Sequence, residues 1–271
     1  MKHFIFAAFI FLGLGLSADA NCLEEEYTEP PKHFEPWYFV GNILDLQEDA
    51  QDALRFQAEG DNEKSRESMR MAIVTAPRNF GVRLAAAQWC LVREQIRGAQ
   101  EQARATLLLE PGSPDAHFAR GIVAMYEKDY VTAEKHFRRI HDKFPENIVA
   151  IHYLALALCE QDDPEKLAEA EEYAQRNIRV ENAPPEVFAA AAWVQFKKGD
   201  IAAAEDFLQA TVHATDGEVS SDIKYYIAAV KVKSDDPDAK NQANKLLTEI
   251  QENKTPFYMR KDAEKLQREL W

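Results

Sequence analysis

Glycine is scarce in this chain, with 10 in 271 residues, while alanine recurs throughout, a balance that favours helix over strand. Cysteine is rarer still. Cys22, Cys90 and Cys159 are too few for a disulfide framework, and an odd count leaves at least one unpaired. Positive charge is in deficit: the formal net charge of −14 argues against nucleic acid or an anionic membrane as partner, because both are polyanions. Beyond the first twenty residues no apolar run is long enough to span a bilayer. Catalytic signatures are missing as well. There is no phosphate-cradling glycine loop, no H-E-x-x-H, no G-x-S-x-G and no C-x-x-C.

What is present begins with "MKHFIFAAFIFLGLGLSADA" (1–20). One Lys2 precedes the apolar run from Phe4 to Leu16, and small residues close it at Ala18-Asp19-Ala20, the pattern of a secretory signal cleaved near Ala20. Three readings of this segment stand: a cleaved signal, a retained membrane anchor, and a lipoprotein acylated at Cys22. Asp19 and Asn21 disfavour the third, since lipoprotein signals place a leucine and a small residue there. The cleaved form puts the protein in the periplasm or outside the cell. Residues 21–45 are acidic and proline-rich, then aromatic ("PWYFVGNI"); the early part reads as a mobile tail, and the aromatic part as an N-terminal cover over the helices beyond residue 46 or as an irregular surface strand.

The rest of the chain repeats itself. Ala53, Ala87, Gly121 and Ala155 are spaced by 34 residues; so are Ser65, Ala99 and Ala133, and so are Pro77, Pro111 and Pro145. Ala170 follows Ala133 by 37, with "EQDDPE" (160–165) as the place for three extra residues, and Ala204 follows after 34 more. A weaker copy carries Ala239 and Ala243. A fixed period of this size marks a stacked repeat architecture. Six units run 46–79, 80–113, 114–147, 148–184, 185–218 and 219–253.

Each unit reads as two helices, apolar or small at three-to-four spacing, as in 115–128 and 130–144. Gly60-Asp61, Lys128-Asp129 and Gly199-Asp200 are the turns between them, and the prolines stop each second helix. Small residues are needed where two antiparallel helices cross closely, with aromatics such as Tyr130 and Phe137 filling the space around the crossing.

The period, the small residue in each first helix, the alanine in each second helix and the closing proline resemble tetratricopeptide repeats. "DAHFARGIVAMYEKDYVTAEKHFRRIHDKFPEN" (115–147) matches best, although His117 and Arg120 stand where the family expects tryptophan and leucine. The resemblance covers 46–253 and implies an all-α, right-handed alpha-alpha superhelix (solenoid) of about six helix pairs, with a concave face lined by the first helices. Such a stack needs its ends covered. Residues 254–271 suit a C-terminal capping helix, with Phe257, Ala263, Leu266 and Leu270 on one face.

The chemistry of single residues is sparse. Cys90 and Cys159 fall on apolar helix faces as small hydrophobes. His136 and His141 are five apart and diverge on a helix, and the acidic clusters at 24–26, 161–165 and 234–238 lack calcium-loop spacing. No catalytic residue, metal site or cofactor is expected. Asn253-Lys254-Thr255 is a glycosylation sequon, meaningful only in a eukaryote. The resemblance then implies an interaction role through the concave face. In the repeat register that face carries Leu54, Gln88, Leu91, Phe118, Ile122, Met125, His152, Leu156, Cys159, Trp193, Phe196, Ile223 and Ile227. Lysine, arginine and asparagine, which family members use to hold acidic C-termini, are largely absent from the set. The apolar surface suits a protein or peptide partner with an apolar or amphipathic segment, with no small-molecule substrate evident. Self-association and service as an accessory subunit of an envelope enzyme are the alternatives.

Overall fold

The computed structural model describes residues 46–215, 217–234, 238–253 and 256–270. The expectations for the signal, for residues 21–45 with Cys22, and for Lys254 and Thr255 of the sequon lie outside them.

Among the described residues there are thirteen helices and no strand. They are α1 (Glu48–Glu59), α2 (Asn62–Thr75), α3 (Phe80–Val92), α4 (Ile96–Leu109), α5 (Pro114–Glu127), α6 (Tyr130–Lys143) and α7 (Ile148–Cys159). Then come α8 (Pro164–Asn177), α9 (Pro185–Lys198), α10 (Ile201–Ala214), α11 (Ser221–Lys233), α12 (Ala239–Glu252) and α13 (Arg260–Glu269). Sequential helices pack as pairs: α1 on α2, α3 on α4, α7 on α8, α9 on α10, α11 on α12. This is an all-α solenoid of helix pairs.

The two helices of a pair differ in kind. First helices are apolar nearly all round, and 11 of the 13 residues of α3 are buried, because such a helix meets its own partner and both neighbouring pairs. Second helices bury only a stripe, always in the same i, i+4, i+7 pattern. The stripes are Ser65-Met69-Ala72, Ala99-Ala103-Thr106, Ala133-Phe137-Ile140, Ala170-Ala174-Asn177, Ala204-Leu208-Thr211 and Ala243-Leu247-Ile250. A small residue opens every stripe, at the crossing with the first helix. In the first pair the crossing is close enough for Ser65 Oγ to donate to the Ala53 carbonyl at 2.8 Å.

The three extra residues of the fourth unit have a definite place. The stripe of α8 lies 37 residues after that of α6, yet both ends of α8 lie 34 after those of α6. The insertion is an additional first turn of α8, started by Pro164 and capped by Asp163. The helix then stops at the end of its stripe, leaving 178–184 as a longer link to α9.

The turns within the first five pairs share one backbone feature. Gly60, Glu94, Lys128, Asp162 and Gly199 all have positive φ, at 81, 57, 58, 46 and 84°. This left-handed residue lies in the turn after the first helix, and in four of the five turns the next residue caps the second. Asp61, Asp129, Asp163 and Asp200 each accept a backbone N–H of the following turn, which satisfies a helix-end donor.

The chain divides into two compact units, one of residues 46–123 with Pro256, the other within 124–253 and 257–270. The first has a core of Met69, Leu84, Trp89, Ala99 and Val123 among others. Trp89 Nε1 donates to Ser65 Oγ, and the Arg93 guanidinium lies 4.1 Å over the Trp89 ring. Cys90, in this core, and Cys159, in the second unit, are both buried.

Candidate functional site

Eight of the thirteen residues expected on a binding face are buried: Gln88, Phe118, Ile122, Met125, Leu156, Cys159, Trp193 and Ile223. Leu54, Leu91, His152, Phe196 and Ile227 are half-buried. The reason is the same surround that buries the first helices as a class. Most of these side chains are therefore covered already.

In the second unit the cover can be named. Trp193 on α9 stacks on Phe196 at 4.9 Å between ring centroids and on Tyr226 of α11 at 4.6 Å. Tyr225 lies tilted against Trp193 at 5.5 Å and against Phe257 at 6.3 Å. The Tyr226 and Tyr258 hydroxyls share a hydrogen bond of 2.8 Å. Phe257, Tyr258 and Met259 are all buried, just ahead of α13. The rings of α9 and α11 thus form a wall, and the segment after α12 lies against it.

A carboxylate is built into that wall. Glu160, at the end of α7, has a side chain only 8% exposed. It accepts from Trp193 Nε1 at 2.6 Å and from Lys197 Nζ at 2.8 Å. Burial works against the Lys197 charge, but the Glu160 carboxylate outweighs it and raises the ammonium above its ordinary pKa. The Tyr130 hydroxyl is pushed well up by burial, and the charges of Glu160 and Asp262 push it the same way. Burial raises the Cys159 thiol well above its usual range, which makes it inert rather than nucleophilic. Around this wall charge is matched and hydroxyls stay neutral, an arrangement suited to holding apolar and aromatic groups.

The C-terminal segment reaches further than its neighbouring pair. Lys128 Nζ, in the turn after α5, donates to both oxygens of Asp262 in α13, at 2.6 and 2.7 Å. Of the expected capping face, Phe257 and Ala263 are buried while Leu266 and Leu270 are half-buried. The helix itself spans only 260–269 and is otherwise polar.

Sequence reasoning placed Trp193 and Phe196 here and missed Glu160, Lys197, Tyr225 and Tyr226. The signal was available. In a stack of pairs, residues about one period apart are lateral neighbours, and Glu160 precedes Trp193 by 33 residues and Lys197 by 37. Opposite charges at that separation mark a bridge between pairs. His152 does not join the wall; it meets Tyr153 edge-on at 4.8 Å, and its Nδ1 is buried without a partner among the described residues. No group of His, Cys, Asp or Glu among the described residues could hold a metal ion.

No family model and no curated protein matches the sequence. Solved structures do match the fold. A tetratricopeptide repeat protein from Parabacteroides merdae superposes with a TM-score of 0.66 at 15% identity, over 82% of each chain. PilF of Pseudomonas aeruginosa gives a TM-score of 0.52 at 18% identity, over 75% of this chain and 89% of PilF. The human IFIT1 dimer with m7Gppp-AAAA gives 0.58 at 15% identity, over 81% of this chain and 54% of IFIT1. With its helix pairs and small-residue crossings, the chain has the fold of the tetratricopeptide-repeat proteins.

Proposed function

We propose that this chain is an exported, non-enzymatic scaffold that binds another protein through an apolar or amphipathic segment laid against its first helices. The aromatic wall of the second unit carries the reading, because Tyr225 and Tyr226, packed on Trp193, already hold Phe257 and Tyr258. A face that accepts one aromatic segment from its own chain has the chemistry to accept another. The N-terminal twenty residues support export, to the periplasm or the cell exterior. RNA, which accompanies IFIT1, is disfavoured by the net charge of −14, which repels phosphates.

The test is capture from an envelope extract by the mature chain, beside a Trp193→Ala, Phe196→Ala double variant of unchanged helix content. The native chain should retain a partner that the double variant loses. Equal retention removes the wall from the binding site. An m7Gppp-AAAA oligonucleotide should show no binding at physiological salt, and saturable binding would replace the protein partner with RNA.

A further inference from the structure

A terminal cap in a stack of repeats needs to touch only the last pair, since each repeat contacts its neighbours alone. The C-terminal segment does more. Its Asp262 is held by Lys128, in the turn of the third pair and 134 residues away. Its Tyr258 and Phe257 meet the tyrosines of the sixth pair. Tyr130 of the third pair feels the charges of both Glu160 and Asp262. The segment therefore runs along one face of the second unit, from the sixth pair back to the third. Capping the last pair does not explain that path.

The anchoring is uneven. Phe257, Tyr258 and Met259 are buried, whereas α13 buries only Ala263, is mostly charged, and meets α12 through Gln267. Its far contact is an ion pair whose side chains are 41% and 31% exposed. Such a pair adds little stability but fixes register. Short aromatic anchors with a charged locator are the anatomy of a peptide bound in a groove.

We propose that residues 257–262 are a resident ligand of the aromatic wall, and that the partner competes for it with the same chemistry: two adjacent aromatic residues and a carboxylate five positions after the first. This rests on the scaffold reading above and names its partner class. Tyr225 and Tyr226, backed by Trp193, receive the rings, and Lys128 receives the carboxylate. A tethered segment meets its site at an effective concentration on the order of millimolar, so only a partner of good affinity displaces it.

The probe is a labelled peptide with the sequence of residues 256–270, titrated into the mature chain. The native chain, closed by its own segment, should bind it weakly. An Asp262→Lys chain loses the locator and frees Lys128, and should bind the peptide about fivefold more tightly. The same peptide with lysine in place of the aspartate should lose that gain and recover it on a Lys128→Glu chain. Tyr258→Phe, which removes only one hydroxyl, gives a second loosened chain should Asp262→Lys fail to fold. Equal peptide affinity for native and loosened chains, or indifference to the charge swap, overturns the proposal. If native and loosened chains retain the envelope partner equally, the scaffold stands and the resident ligand falls. If neither peptide nor partner binds any form, both readings fall.

Discussion

Trp89 Nε1 donates to Ser65 Oγ at 2.7 Å, and the same oxygen donates to the Ala53 carbonyl at 2.8 Å. Ser65 thereby joins both helices of the first pair to the first helix of the second. It stands at the stripe position that alanine holds in the other five pairs. The hydroxyl is there because a buried indole N–H needs an acceptor. Ser65→Ala should therefore cost about 1–3 kcal/mol, the penalty of an unpaired buried donor, although alanine is the better helix former. Urea unfolding measures it. A neutral result would mean the indole finds another acceptor.

Glu160 is the corresponding junction in the second unit. Glu160→Leu strands the Lys197 ammonium and the Trp193 N–H together, and should cost about 2–3 kcal/mol after allowance for the partly exposed lysine. Adding Lys197→Met removes the stranded charge and should return more than half of that loss. If the double variant is no more stable than the single one, the pair is not coupled. Thermal unfolding of the four forms gives the cycle.

Much of this fold is legible in the chain, and for one reason. Repeats restate their constraints, so Ser65, Ala99, Ala133 and Ala204 declare the crossings, and the prolines declare the helix ends. The turn is only half legible. Gly60 and Gly199 announce a left-handed residue, but Glu94, Lys128 and Asp162 adopt the same conformation without the usual signal. The binding face is harder still. Leu156 and Ile223 are apolar because neighbouring pairs bury them, and composition does not separate that cause from an open groove. The path of the C-terminal segment is not written locally at all. It depends on how the pairs from the third to the sixth follow one another, which no single helix encodes.

The left-handed turns predict a contrast among glycines. Gly60 and Gly199 lie at φ +81 and +84°, where a side chain is strained even in open space. Gly60→Ala and Gly199→Ala should each cost about 1 kcal/mol. Gly112, exposed in the link before α5, has neither a positive φ nor a neighbour within 4 Å of an added Cβ. Gly112→Ala should be neutral or slightly stabilising, since alanine restricts the unfolded chain. Equal losses at all three positions would refute the turn geometry as the cause.

Acid should weaken the fold in two stages. Burial lowers the His152 pKa from 6.5 to about 4, so the folded chain resists a proton that the unfolded chain accepts. Between those values the unfolded state binds more protons, so stability falls as pH drops through that window and is complete above it. The loss is roughly 3 kcal/mol at its largest. A second stage sets in below the ordinary carboxylate range. Burial works against the Glu134 charge, but donors from Lys166, Gln161 and Arg138 prevail and hold its pKa low. The Arg138 guanidinium holds Glu169 low in the same way. Carboxylates of this kind stabilise above their unfolded pKa and lose that contribution as they protonate. His152→Leu should remove most of the fall in the urea midpoint between pH 7 and 5, with the remainder due to His141, whose pKa burial also lowers, while leaving the lower stage in place. A variant that loses as much stability across the upper window as the native chain would assign it to another group.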